Sequence, residues 1–140
     1  MDTTRKLPLL EMAEAERQEI RVLLADDDPE FLDALRELID RQPELGVVGV
    51  AENGLEAIEQ ADVLAPDAVV IDVHMPLVDG VTAVAHLRNQ HPSLCLIALT
   101  ADDAPKLLEA VKDAGADGVL LKSELVDTLV ERLAGSRSQN

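Results

Sequence analysis

An aspartate at the end of an apolar run is the first candidate for chemistry in this sequence. Asp72 follows Val69-Val70-Ile71, and a short β-branched run of this kind is typical of a strand buried on both faces. A carboxylate placed there is costly unless it meets a cation or a hydrogen-bond donor. Pro76 cannot extend the strand, and Asp79-Gly80 is typical of a turn and a helix start. We therefore place Asp72 where a strand passes into a loop, at the edge of a parallel sheet where ligands bind.

Other polar side chains follow apolar runs elsewhere in the chain. Asp26 and Asp27 come after the first run, Thr100 follows the fourth, and the fifth ends at Lys122. The carboxyl ends of parallel strands share one edge, so three carboxylates, a hydroxyl and an ammonium could converge there. Three carboxylates repel one another unless they bind a proton or a cation, and Mg²⁺ is the usual hard cation in phosphate chemistry. Asp72 could then attack phosphorus to form an acyl phosphate, with Thr100 and Lys122 stabilising the phosphoryl oxygens.

Strands and helices alternate along the chain in an order that would bring these residues together. Five runs of strand type are each followed by a segment with apolar residues at helical spacing. This alternation predicts a single α/β domain with a parallel sheet and helices on both faces, because parallel strands need crossover connections. The predicted strands are Val22–Ala25, Val47–Ala51, Val69–Asp72, Leu94–Leu99 and Gly118–Leu121.

Helix start signals support the same division of the chain. Asp28 can cap a helix with Pro29 at its first position. Asn53 and Glu56 have the spacing of a capping box, which opens a helix through about residue 64. Ser123 can cap a last helix.

Composition limits the classes of function. The chain has 140 residues, 47% of them hydrophobic, and Phe31 is its only aromatic residue, so we expect one domain with an aliphatic core. The net charge of −16 disfavours direct binding to nucleic acid and to anionic membranes. The single cysteine, Cys95, lies in an apolar run and is expected to be a small buried hydrophobe. No run approaches transmembrane length and no signal-peptide pattern is found, so we expect a cytoplasmic protein.

From about residue 21 to residue 133 the chain resembles the response-regulator receiver domains of two-component signalling. The resemblance implies a doubly wound, flavodoxin-like (βα)5 domain with sheet order 2-1-3-4-5. We expect residues 21–134 to form the receiver domain, residues 1–20 a flexible or helical arm, and residues 135–140 a flexible tail. The shared motifs are the acidic pair Asp26-Asp27, Asp72-x-x-Met75-Pro76-x-x-Asp79-Gly80, Leu99-Thr100-Ala101 and Gly115-Ala116-Asp117-Gly118-x-x-x-Lys122.

The resemblance implies a role for each matching residue of the acidic pocket. Asp72 matches the aspartate that accepts a phosphoryl group from a sensor histidine kinase or a phosphotransfer protein. Asp27 matches a direct ligand of Mg²⁺, and Asp26 a carboxylate that acts largely through metal-bound water. His74 matches the position whose backbone carbonyl binds the metal. The chain would be a signalling switch rather than a metabolic enzyme.

The resemblance also assigns residues around the phosphoryl group. Thr100 matches the hydroxyl that moves to a phosphoryl oxygen, and Ala101 the small residue that leaves room for that group. Lys122 matches the lysine that pairs with the phosphate, and Asp102 a position that influences the rate of hydrolysis. The residues around Lys122, with no proline after it, look most like receivers of transcription regulators with a helix-turn-helix output domain.

Two other functions stay open. The family usually has Tyr or Phe three residues before the lysine, where this chain has Val119, so a degenerate receiver could act as a protein-interaction module independent of phosphorylation. An aspartate phosphatase of the haloacid-dehalogenase type needs a second Asp two residues after the first, where this chain has His74. A homodimer is a possible partner arrangement, suggested by apolar residues on the last predicted helix: Leu125, Val126, Leu129 and Val130.

Overall fold

Strands and helices alternate in the structure as the apolar pattern predicts. The computed structural model describes residues 19–75, 77–101, 104–124 and 132–135. The elements in these ranges are β1 (Ile20–Ala25), α1 (Pro29–Asp40), β2 (Leu45–Ala51), α2 (Gly54–Leu64), β3 (Ala68–Asp72), α3 (Gly80–Gln90), β4 (Cys95–Thr100), α4 (Pro105–Ala114) and β5 (Gly118–Leu121). A short 3₁₀ turn, Lys122–Glu124, follows β5, and residues 132–135 are helical.

The five strands form one parallel sheet in the order β2-β1-β3-β4-β5, which confirms the predicted topology. The register sets the positions of the strand ends. Ala25 pairs with Ile71, so the residues that follow them, Asp26 and Asp72, lie side by side. Asp72 pairs in turn with Leu99 of β4, one residue before Thr100.

The core lies in two layers, one on each face of the sheet. Successive residues of β1 belong to different layers, as expected for a strand whose side chains point to opposite faces: Leu24 to one and Leu23 to the other. The first layer contains Leu32 and Leu35 of α1 together with Leu133. The second layer contains side chains of α2 and α3: Ala57, Ala61, Ala83, Val84 and Leu87. As predicted from the composition, none of the buried hydrophobic side chains in the described part of the chain is aromatic.

Side-chain caps begin the helices that follow β1 and β2. Asp28 Oδ1 accepts hydrogen bonds from the backbone N–H groups of Glu30 (3.1 Å) and Phe31 (3.4 Å), and Asn53 Oδ1 accepts one from Glu56 (2.8 Å). Both predicted caps are therefore confirmed. In the second, the Glu56 carboxylate accepts from the N–H of the residue before the cap, Glu52, at 3.3 Å.

The observed bounds correct the prediction in places. β2 begins two residues before the predicted strand, at Leu45, and β4 begins and ends one residue later than predicted, so that Thr100 is its last residue. Cys95 is half-buried rather than buried, because it stands at the start of β4.

Some predicted segments fall outside the described residues. These are most of the N-terminal arm, Asp102, residues 125–131 of the last predicted helix and the tail beyond residue 135. Within the part of the chain that the structure describes, no helix has both the length and the apolar character needed to cross a bilayer.

Candidate functional site

Three aspartates meet at the carboxyl edge of the sheet. Asp26, Asp27 and Asp72 each offer a carboxylate oxygen, and these oxygens lie within 4.8 Å of one another. Asp26 and Asp72 are buried, with 0% and 3% of their surface exposed, whereas Asp27 is exposed. The pairing of β1 with β3 brings Asp26 and Asp72 together, and the turn after β1 places Asp27 at the solvent side.

Lys122 supplies a positive charge to this pocket. Its Nζ atom lies 2.7 Å from Oδ2 of Asp26 and donates a 3.4 Å hydrogen bond to Oδ2 of Asp72. The approach to Asp26 has ion-pair distance but not hydrogen-bond geometry, so Asp26 Oδ2 stays buried without a hydrogen bond from any described residue. The side chain is 23% exposed, so water screens its attraction to the carboxylates only in part.

The electrostatics of the pocket oppose the charge on Asp72. Burial raises the pKa of Asp72, and the neighbouring Asp26 carboxylate raises it further. The backbone N–H of His74, which donates to Asp72 Oδ1 at 3.2 Å, and the Lys122 ammonium both act against this shift without cancelling it. Burial also lowers the pKa of Lys122, but its contacts with Asp26 and Asp72 outweigh that effect, so the net shift is upward and the ammonium is retained.

The remaining predicted residues lie around Asp72. Thr100 is buried at the end of β4, on the strand beside Asp72. Ala101 follows it and is exposed. His74 lies two residues beyond Asp72, with an exposed side chain and its N–H bonded to the Asp72 carboxylate. A Cβ atom at Gly80 would come within 2.7 Å of the Asp72 carbonyl oxygen, which explains why a glycine begins α3 directly against the end of β3.

The donor set of the pocket fits a hard divalent cation. The three candidate side chains offer only carboxylate oxygens, which are the ligands that Mg²⁺ prefers. Two of these side chains are buried, and Asp26 Oδ2 has ion pairing with Lys122 but no hydrogen bond among the described residues. A cation would relieve the repulsion that raises the pKa of Asp72.

Comparison with known protein families identifies the family of the chain. The model of the response regulator receiver domain matches residues 22–134. The chain belongs to this family. The predicted membership of this family and the predicted flavodoxin-like fold are confirmed.

The curated relatives of the receiver are longer proteins than this chain. It is 42% identical over 106 residues to protein-glutamate methylesterase/protein-glutamine glutaminase 3 of Pseudomonas syringae pv. syringae, a match that covers 74% of this chain and 27% of that protein. The chain thus spans about a quarter of the length of the curated relatives it matches.

Two solved structures show the same fold. The response regulator domain of CheB from Thermotoga maritima has a TM-score of 0.78 and 27% identity, and the match covers 85% of this chain and 96% of that one. The isolated REC domain of RcsB from Salmonella enterica serovar Typhimurium, in the presence of the phosphomimetic BeF3⁻, has a TM-score of 0.77 and 30% identity, with 83% and 86% covered.

The sequence pattern places one residue of the receiver's pocket, Phe31, only in the core. It belongs to the apolar stripe of α1, and its ring does pack against the core. The centroid of that ring also lies 4.3 Å from Nζ of Lys122. The available signal was its place in the first turn of α1, three residues after the cap that follows the acidic pair.

Proposed function

We propose that this receiver accepts a phosphoryl group on Asp72 from a sensor histidine kinase or a phosphotransfer protein, and changes conformation to control an output or a partner. The observation that carries the proposal is the contact of a buried aspartate with both a lysine and a second buried carboxylate at one sheet edge. A structural salt bridge would need only one carboxylate for one ammonium.

In the proposed transfer, a carboxylate oxygen of Asp72 forms the new P–O bond while the P–N bond of the donor phosphohistidine breaks. The imidazole nitrogen of the donor keeps the electron pair of that bond. Asp26, Asp27 and Asp72, with the backbone carbonyl of His74, would hold Mg²⁺, which supplies positive charge to the phosphoryl oxygens when bound. The transfer requires mainly positioning and neutralisation of charge.

The other residues act on the product of the transfer. Lys122 is already within 3.4 Å of Asp72 Oδ2, so its ammonium can pair with an oxygen of the new phosphoryl group after a small movement. Thr100, at the end of the neighbouring strand, would donate its hydroxyl to a second oxygen. The methyl side chain of Ala101 leaves space at the exposed mouth of the pocket.

The assay is the intact mass of the protein after incubation with acetyl phosphate and Mg²⁺. We expect the wild type to gain one phosphoryl group, and the Asp72→Asn variant to gain none, because its amide is not a nucleophile. Asp33→Asn, which neutralises an exposed aspartate of α1, is the matched control and should be labelled as the wild type is. Equal labelling of the wild type and Asp72→Asn would contradict the proposal.

A module that binds partners independently of phosphorylation is the second candidate, favoured by Val119. This half-buried residue packs against a small cluster formed by Val73, Ala98 and Val111, and it has no ring that could change rotamer. Amide chemical shifts measured with Mg²⁺ and beryllofluoride would separate the two functions. A switch changes the shifts through α4 and β5, whereas a module without a switch changes them only in the residues around Asp72.

We further propose that the receiver domain spans residues 21–134 between an arm and a short tail, and that the chain acts in the cytoplasm as a switch rather than as a metabolic enzyme. Its net charge of −16 disfavours direct contact with nucleic acid or an anionic membrane and favours partners with basic surfaces. One similar protein is a protein-glutamate methylesterase/protein-glutamine glutaminase and another, RcsB, is seen bound to a promoter, so control of transcription is one proposed output among others.

A further inference from the structure

The single phenylalanine, in a chain without tyrosine or tryptophan, lies against the ammonium of the pocket lysine. Nζ of Lys122 is 4.3 Å from the centroid of the Phe31 ring, well within the range in which a ring face attracts a cation. The Lys122 side chain is only 23% exposed, so water screens this attraction incompletely. The half-buried Phe31 also packs against the core layer of α1, which limits the movement of the ring.

The position of the ring is tied to the acidic loop by hydrogen bonds. Asp26 Oδ1 accepts from the backbone N–H of Asp28 at 3.0 Å, and Asp28 caps α1 by accepting from the N–H of Phe31 itself at 3.4 Å. Pro29 fixes the first helical position between them. The loop that carries the acidic pair therefore also fixes the position of the ring. Lys122 contacts both parts of this arrangement, because it pairs with Asp26 and lies against the Phe31 ring.

We propose that Phe31 is a positioning residue for phosphoryl transfer, holding the Lys122 ammonium at the pocket by a cation–π contact. The inference rests on the proposed function. The carboxylates that attract Lys122 are the same groups proposed to hold Mg²⁺, and their attraction for the lysine weakens when they share a cation. The ring binds neither protons nor hard cations, so its attraction for the ammonium persists.

The contact is tested by the affinity of the full chain for beryllofluoride at saturating Mg²⁺. Phe31→Leu keeps an apolar side chain on α1 but removes the ring, and we expect two- to fivefold weaker binding, about the strength of a cation–π contact at a partly exposed site. Phe31→Tyr keeps the ring and should bind as the wild type does. Leu38→Ala, a truncation two turns further along α1, is the control for a general loss of helix packing and should leave the affinity unchanged.

A double-mutant cycle separates positioning from packing. The unfolding equilibrium in denaturant is measured for the wild type, Phe31→Leu, Lys122→Met and the double variant. If the ring acts through the ammonium, Phe31→Leu shifts the equilibrium constant two- to fivefold more in the wild-type background than in the Lys122→Met background. In addition, the ε-methylene protons of Lys122 should show an upfield ring-current shift that Phe31→Leu abolishes.

The inference is overturned if Phe31→Leu binds beryllofluoride as tightly as the wild type, or if it costs the same stability in both backgrounds. A wild type that binds no beryllofluoride and gains no phosphoryl group would instead overturn the proposed function. The double-mutant cycle would still show whether the ring and the ammonium interact.

Discussion

Replacing Arg88 by methionine should strongly destabilise the receiver, although the Arg88 side chain is partly exposed. The Arg88 side chain is 24% exposed and donates four hydrogen bonds. Nε donates to the Gly115 carbonyl at 2.9 Å, and Nη1 donates to the Pro92 and Leu94 carbonyls at 2.8 Å each. Nη2 donates to Asp117 Oδ2 at 2.7 Å. One guanidinium thus joins the last turn of α3 to the segments that lead into β4 and β5.

The magnitude follows from these contacts. A hydrogen bond from a charged donor contributes about 1.5–3 kcal/mol, but Asp117 is half-exposed and its ion pair is discounted to about 1 kcal/mol or less. In the variant, water can replace some of the three hydrogen bonds that Arg88 donates to backbone carbonyls near the surface. We therefore expect a net loss of about 3–4 kcal/mol in the free energy of unfolding for Arg88→Met. That is a large part of the ~5–15 kcal/mol that stabilises a typical domain.

The assay is denaturant unfolding followed by far-ultraviolet circular dichroism. Arg88→Lys should recover about half of the loss, because an ammonium cannot form the planar fork of a guanidinium. Arg36→Met is the matched control: Arg36 pairs with Asp40 at 3.9 Å, both side chains are more than half exposed, and we expect a change below about 0.5 kcal/mol. A loss for Arg88→Met within about 1 kcal/mol of the control would refute the reasoning.

Further predictions concern the pocket. Because the pKa of Asp72 lies above its ordinary value of 3.8, the ionised carboxylate lowers the stability of the folded state at neutral pH. Asp72→Asn should therefore unfold at a higher denaturant concentration than the wild type. This difference should disappear as the pH falls below 3.8, where the carboxyl is protonated in both the folded and the unfolded state. Mg²⁺ at 100 times its Kd should raise the free energy of unfolding by about 2.7 kcal/mol in thermal or denaturant scans, and Asp27→Asn should reduce this gain at the same concentration. Val119→Tyr, in a half-buried site, should enlarge the chemical-shift response of α4 to beryllofluoride if an aromatic ring strengthens the coupling of the pocket to that helix. Light scattering should show a larger particle with beryllofluoride than without it if phosphorylation promotes a homodimer.

The fold could be predicted because its signals are local. The cap at Asp28, the capping box at Asn53 and the buried run before Asp72 each depend on a few neighbouring residues, and each is found where the pattern placed it. The meeting of Asp26 with Asp72 could be predicted too, because parallel strands place their carboxyl ends at one edge whatever the exact register.

The contacts of long side chains could not be predicted in the same way. Arg88 reaches Asp117 across 29 residues of sequence, and nothing in the helical pattern around Arg88 marks it as different from an exposed arginine. Phe31 satisfies the apolar stripe of α1, so the pattern is complete without its contact with Lys122. Such contacts depend on the rotamers of extended side chains, which sequence spacing does not determine.

The unbalanced negative charge of the pocket lowers the stability of the free protein and also suits the pocket to its proposed function in phosphoryl transfer. Three carboxylates and one ammonium leave two formal negative charges, the amount that one divalent cation neutralises. In the free protein Lys122 is shared between Asp26 and Asp72, and it cannot satisfy both, which is why the pKa of Asp72 stays raised by burial and by Asp26. A bound cation would release the lysine from this double role. Its ammonium, kept in place by the Phe31 ring, would then be available to the phosphoryl group that adds new negative charge.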